Sequence, residues 1–344
     1  MIEGVDNTVL YGVAGAGLFV LIVAVTAISM VMNRQRAVSD ERQVYKLRRK
    51  RAARYEDAKK DYEKYRKKIE SGNTVLIDLI HDLGDDFVGR DSAQQQIAFD
   101  EAFEAVASIR QANPRARIVI VLHTLGGYAR PAHMIALAIR HHLSKGKGHY
   151  NPKREPRVVA YVPYVAMSGG TMIALAADKI AMDPTASLGP IDTIYGGFPT
   201  EAYKELLAQK GPLATQDVLV MLAHEAEKYD RYAGKVAREI VNDVHKAEDK
   251  DEHHIADTLS AGTLSHSQAI TPKDAKEMGM NVSTKIPDLI YGLVDARIRM
   301  IHTRLEFEAR RMEGEGGPEE GKGDDAEQAI ERAIRQSLRG NVRL

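Results

Sequence analysis

A lone serine, Ser168, ends an apolar run and stands directly before Gly169 and Gly170 in "VPYVAMSGGTMIALAAD", residues 162–178. A second glycine pair, Gly126 and Gly127, follows the apolar run "RIVIVLH" through "TLGG". Where a strand meets a helix N-terminus, backbone N–H groups lack intrahelical partners and favour negative charge. Two such turns brought together make an oxyanion hole, often the largest single contribution to acyl-transfer catalysis. A serine beside them reads as a nucleophile for a carbonyl carbon. Taken singly, "SGG" fits tight helix–strand packing equally well. Nor is it the G-x-S-x-G elbow, because Ala166 stands where the first glycine belongs.

The elements that must position these residues are legible around them. "VLIDLIH" (75–81), "RIVIVLH" (117–123), "RVVAYVPYV" (157–165) and "KIAMD" (179–183) read as strands. Between them, "DSAQQQIAFDEAFEAVASIRQA" (91–112), "PAHMIALAIRHHL" (131–143) and "GGTMIALAAD" (169–178) read as helices. Short Val/Ile runs alternating with amphipathic helices predict βαβ units and a mostly parallel sheet. "LGPIDTIYGGFPT" (188–200) reads as irregular chain, followed by a long charged helix over about 215–250 and a helix-plus-turn in "AITPKDAKEMGM" (269–280).

Composition excludes several classes. Lys plus Arg equals Asp plus Glu, 48 against 48, so no basic excess points to nucleic acid. The chain has no cysteine, which removes disulfides, zinc–thiolate sites and a thiol nucleophile. The histidine pairs at 141–142 and 253–254 do not make a metal site, since adjacent residues point to different helix faces and no third ligand stands at suitable spacing.

The N-terminal region has its own organisation. Residues 1–8 form a short extracytoplasmic end, and Val9–Met32 carries no charge and exceeds the roughly 20 residues a helix needs to span a bilayer. Acidic Glu3 and Asp6 before it, and no small-residue cleavage site before the basic flank, argue for a retained anchor rather than a signal peptide. Arg34, Arg36 and "KLRRKRAARYEDAKK" (46–60) place the rest of the chain in the cytoplasm by the positive-inside rule. Residues 33–73 read as a basic juxtamembrane helix or short coiled coil, either a solvated spacer or a segment whose basic cluster also touches anionic headgroups. The globular domain is expected over 74–312, a disordered acidic linker over 313–324, and a C-terminal helix over 325–344.

The order "VIVLHTLGG", then about forty residues, then "VVAYVPYVAMSGGTMIALAADKIAMDPTASLGPID", resembles the Clp-protease/crotonase superfamily, in particular the membrane-associated branch related to signal peptide peptidase A and called serine dehydrogenase proteinases. The resemblance covers roughly residues 74–295. It implies an α/β fold built as a spiral of ββα units, a homo-oligomer, and peptide-bond hydrolysis through a serine without metal or organic cofactor. Ser168 matches the nucleophile, and the amides of Gly169 and of Gly126 or Gly127 match the oxyanion donors. One departure is Leu125, where family members usually carry proline.

The proton acceptor is the harder assignment. In soluble Clp-type members a histidine follows the serine by some twenty-five residues, but here that region reads "ASLGPIDT". The membrane-associated branch uses a helical lysine instead, and Lys228 in "LAHEAEKYDRY" falls at a comparable place. Lys235, Lys204 and Lys210 are alternatives, His224 is a further one, and Asp192 either orients the lysine or caps a turn. His123 is a groove-lining or core residue. The resulting expectation is a single-pass serine endopeptidase using a Ser–Lys dyad on membrane-protein or peptide substrates. Its rivals are an inactive ClpP-like scaffold at the membrane and a crotonase-type acyl-CoA enzyme.

Overall fold

The computed structural model describes residues 7–83, 96–145, 156–191, 193–195, 198–246, 251, 253–262, 264–265 and 268–312. The chain divides into two compact units, one of residues 1–57 with 303–315 and one of residues 58–302 with 316–344. The expected linker at 313–324 and helix at 325–344 lie outside the described residues. Helix α1 runs unbroken over Asn7–Ile69 and includes the 9–32 segment, most of whose side chains lie outside the described residues. Among the described residues no helix is long and apolar enough to cross a membrane.

In the larger unit, α1 ends at Ile69 and Gly72 takes a left-handed φ of 68° that turns the chain into β1 (Thr74–Ile80). Four further strands complete a parallel sheet: β2 (Arg117–His123), β3 (Val158–Val162), and then β5 (Lys179–Met182) and β9 (Val282–Ser283), in spatial order β1-β2-β3-β5-β9, while β7 (Ile194–Tyr195) and β8 (Phe198–Pro199) pair antiparallel apart from it. Ile118, Ile120 and Leu122 on one face of β2, and Val121 on the other, are all fully buried. Burial on both faces is what a central parallel strand requires, and it explains continuous Val/Ile runs rather than alternation. Helices α2 (Phe99–Gln111), α3 (Ala129–Lys145) and α4 (Gly169–Leu175) bury Ala102, Ile109, Ile135, Ile139 and Ile173 in the same core.

The structure departs from the expected elements at three places, each with a physical cause. The run 157–165 is not one strand. Pro163, which has no N–H for a ladder, and Tyr164 form a bend, and Val165–Ala166 becomes β4, paired in a separate small sheet with β6 (Ser187–Leu188). The helix expected from residue 91 begins at Phe99, because Ile97 is held in a parallel bridge to Gly127; residues 84–95 lie outside the described residues. The long charged helix α6 spans Asp217–Ile240 and stops short of 250. There the Asn242 N–H donates to Leu175 O at the end of α4 (3.0 Å). α7 (His254–Ser260) and α8 (Pro272–Glu277) follow, the latter opened by a Thr271/Asp274 capping box. α9 (Asp288–Met312) closes the described chain.

Two buried polar clusters hold this unit together. Tyr62 on α1 donates to the Asp78 carboxylate on β1 (2.5 Å), Arg66 lies 3.5 Å from the same carboxylate, and the Arg297 guanidinium sits over the Tyr62 ring at 5.1 Å. Burial pushes the Asp78 carboxyl above the usual carboxylate range despite the pull of Arg66. At the other end of the sheet, His245 donates through Nε2 to Ala177 O (3.1 Å), while its Nδ1 accepts from Asn281 N–H (3.0 Å).

That pair of bonds uses the neutral imidazole, and burial lowers the His245 pKa to about 4. The unfolded chain binds this proton near pH 6.5, the native chain only near 4. Stability from this residue is therefore complete above pH 6.5 and is lost as pH falls toward 4, amounting to about 2 kcal/mol at pH 5. We expect the urea midpoint to fall between pH 7 and pH 5 in the native protein, and His245→Gln to flatten that fall. An equal slope in the variant would show that other groups carry it.

Candidate active site

Ser168 is the N-cap of α4 and has φ 47° and ψ −113°. It is the only non-glycine residue with positive φ among the described residues. A side-chain-bearing residue in that region is strained by about 1–3 kcal/mol and persists only where its surroundings impose it. They do so through backbone bonds on both sides. The Thr124 N–H donates to Val165 O (3.1 Å) and the Met167 N–H donates back to Thr124 O (3.0 Å), joining the end of β2 to β4. Downstream, Gly170 N–H donates to Met167 O (2.7 Å) and Met172 N–H to Ser168 O (3.0 Å), which begins α4. The Thr171 hydroxyl donates to Ala166 O (2.7 Å) and accepts from Gly189 N–H (3.1 Å), tying β4, α4 and the "SLGP" turn to one another.

The glycines explain how closely the two turns approach. A Cβ on Gly126 would lie 2.9 Å from both Met167 O and Ser168 Cβ, and one on Gly170 would lie 2.7 Å from Thr124 Cγ2. Gly126 also has φ 104°, which only glycine adopts without strain. Its own N–H, however, donates to Thr124 Oγ1 (3.0 Å), so of the two candidate donors in this turn Gly127 is the one whose amide is available. Among the described residues, neither Gly127 nor Gly169 donates a backbone hydrogen bond from its N–H. A Cβ on Gly169 would stand 3.7 Å from Gly127 N, so the two glycine pairs lie against each other next to Ser168. Leu125 and Tyr128 flank the turn and are half-exposed.

The candidate lysines stand on helices that follow β6, and α6 among them packs against α3 and α4. Lys204 is on α5 (Thr200–Lys210), which packs against α6. It reaches Glu201 (2.7 Å) and Asp230 (2.5 Å); burial acts to lower its pKa, but the two carboxylates outweigh it and hold the ammonium above the usual lysine range. Lys228 on α6 is 61% exposed and pairs with Glu225 at 2.5 Å. Lys210, Lys235 and His224 are exposed. Among the described residues no lysine or histidine hydrogen-bonds to Ser168 Oγ, and Asp192 lies outside them.

The histidines noted in the sequence fall into structural places. His123 is partly buried, packs its ring edge-on to Tyr164 (centroids 5.3 Å apart), and burial lowers its pKa to about 4. His142 is buried and bonded to Ala116 O (3.0 Å). No group of three or more His, Asp or Glu among the described residues is arranged to hold a metal. The residues missed in the sequence are Ile97, whose backbone clamps Gly127, and Thr124, Thr171 and His81, whose side chains brace the turns. The signal for Thr124 was its place between the strand end and the glycine pair.

A parallel sheet that brings a strained serine beside two available amides is the arrangement a serine hydrolase requires. The chain belongs to the ClpP-like SDH-type serine proteinases, whose family model matches residues 11–308, and it is a serine protease of that family. Two similar proteins come from Methanocaldococcus jannaschii. Uncharacterized protein MJ0137 is 33% identical over 223 residues, 64% of this chain and 73% of that protein. Uncharacterized protein MJ1495 is 31% identical over 199 residues, 58% of this chain and 63% of that one. The chain thus spans roughly two thirds of the length of these relatives. Among solved structures, two variants of the 1510-N membrane-bound stomatin-specific protease are similar at 20% identity. The lysine-to-alanine variant, in complex with a substrate peptide, has a TM-score of 0.35 and covers 56% of this chain and 72% of that one. The serine-to-alanine variant has a TM-score of 0.33 and covers 57% and 79%.

Proposed function

We propose that this protease is a membrane-anchored endopeptidase in which Ser168 is the nucleophile, the Gly127 and Gly169 amides are the oxyanion donors, and a lysine is the base. The observation that carries this reading is the strained backbone of Ser168, held between two sets of hydrogen bonds where the two glycine turns approach each other. Ser168 Oγ attacks the peptide carbonyl carbon as its proton passes to a neutral lysine. The oxyanion collapses, the C–N bond breaks, and the leaving amine takes the proton from the lysine. Water then bonds to the acyl carbon as the lysine takes its proton, and the bond from Ser168 Oγ to the acyl group breaks as the lysine returns that proton to Oγ. Substrate adds as a strand beside the Gly126–Gly127 turn, a common mode of peptide recognition.

Lys228 is our first assignment for the base. It is held by Glu225 on its own helix, so the dyad closes only when substrate or a second copy covers α6 and displaces that pair. The exposed apolar residues Val218, Met221, Tyr229 and Tyr232 along that helix support a covered state. The charge-free 9–32 segment, with its basic flank, supports a single-pass anchor with the protease unit in the cytoplasm and membrane proteins or their fragments as substrates. The test is cleavage of casein and a fluorogenic peptide by the full chain in detergent micelles. Lys228→Ala is expected to lower kcat by about 10²-fold or more with little change in KM. Full activity in that variant would move the role to Lys235, Lys204 or Lys210. Absence of cleavage by the native chain would sink the endopeptidase reading.

A further inference from the structure

We propose that Glu101, His81 and Thr124 form a hydrogen-bonded relay that fixes the Gly126 amide, directly before the peptide that carries the oxyanion donor, making them positioning residues for the hydrolysis. This inference depends on the assignment of Gly127 as that donor. His81 is 2% exposed at the end of β1 and Thr124 is fully buried just past the end of β2. The imidazole lies with Nδ1 2.7 Å from Thr124 Oγ1 and Nε2 3.1 and 3.2 Å from the two carboxylate oxygens of Glu101 on α2. Thr124 Oγ1 in turn accepts the Gly126 N–H (3.0 Å) and lies 3.2 Å from Gly126 O.

Proton counting sets the direction of the chain. An ionised carboxylate only accepts, so a neutral His81 carries its proton on Nε2 and leaves Nδ1 bare. The Thr124 hydroxyl has one proton, which that bare nitrogen takes at the shorter of its two contacts. Its lone pairs then face the Gly126 N–H. Each group orients the next, from a carboxylate on α2 to the amide of Gly126, and the following amide is that of Gly127. The Gly126 carbonyl is fixed from the other side by Ile97 N–H (2.8 Å), so the Gly126–Gly127 peptide is held on both flanks and cannot rotate freely. A donor preoriented in this way need not reorganise as charge develops, and that is where its catalytic effect arises. Neither His81 nor Glu101 is placed to touch substrate in this arrangement, since both act through Thr124.

Removing the hydroxyl while keeping the shape tests the relay. Thr124→Val is expected to lower kcat 10- to 100-fold with KM within about two-fold, and to weaken a peptide aldehyde, which forms a tetrahedral adduct on Ser168, by a similar factor. Binding of uncleaved peptide, measured in the Ser168→Ala background, should not change. Thr124→Ser restores the hydroxyl and should recover kcat to within a few-fold of native. Glu101→Leu, on a partly exposed helix face, should lower kcat 3- to 10-fold without loss of fold, and it gives the same reading should the valine variant fail to accumulate. A folded Thr124→Val enzyme with native kcat, serine as damaging as valine, or an unaffected Glu101→Leu would overturn the relay. Failure of the underlying assignment is seen separately, as native kcat in a folded Gly127→Ala variant.

Discussion

Ser168→Gly should abolish peptide hydrolysis and at the same time make the protein melt higher. Loss of the nucleophile lowers kcat/KM by at least about 10³-fold, since what remains is oxyanion stabilisation and binding without covalent chemistry. The backbone effect runs the other way. Serine at φ 47° carries about 1–3 kcal/mol of strain, which glycine relieves at an entropic cost of about 0.5–1 kcal/mol in the unfolded chain. The net gain of about 1 kcal/mol corresponds to about 2–4 °C in Tm for a unit of this size. Ser168→Ala provides the comparison, because it is equally inactive but keeps a Cβ at the same φ and so keeps the strain. Calorimetry on both variants separates the two effects. Equal melting temperatures for glycine and alanine would mean that the turn is not strained, and the main support for Ser168 as nucleophile would fall with it.

The second large effect is expected at Gly127. A Cβ there would lie 2.3 Å from Ile97 N, 2.4 Å from Ile97 O and 2.8 Å from Ile97 Cα. These are backbone atoms fixed by Ile97 N–H to Gly126 O and Tyr128 N–H to Ile97 O (3.0 Å), so no side-chain rotation relieves the contact. Gly127→Ala must therefore break the bridge and shift the turn. We expect a loss of about 3 kcal/mol in urea unfolding, at the upper end for overpacking, together with a 10²- to 10³-fold fall in kcat as one oxyanion donor moves. Gly211→Ala serves as the control. It also sits at positive φ (74°) but meets nothing within 4 Å, so it should cost only about 1 kcal/mol and leave kcat unchanged. Similar losses of kcat in the two variants would deny the Gly126–Gly127 turn any special part in the site.

Much of the frame was legible because burial writes a simple pattern into parallel strands. "RIVIVLH" coincides with β2 residue for residue, and the serine and both glycine pairs stand at strand-to-helix turns as expected. The pattern failed where the cause was not local. Apolarity continued through Pro163 and Tyr164, so the switch from β3 to β4 left no trace in hydropathy although the proline itself was a warning. Ile97 looked like the buried face of a helix and is in fact a bridge partner of a residue thirty positions away. The relay behind Gly126 joins residues 81, 101 and 124, and no spacing rule brings those three together. The base was the least legible. Lysine becomes basic through its surroundings, and charge-rich helices such as α5 and α6 offer several lysines with similar neighbours.

The crossed pair of bonds between Thr124 and the β4 segment has a mechanical consequence. Each turn holds the other, one bond in each direction, so Ser168 and the glycine turns form a single plate rather than two loops that meet. Thermal motion displaces that plate as a whole. The spacing between the serine and the glycines is thereby insulated from strain in the rest of the molecule.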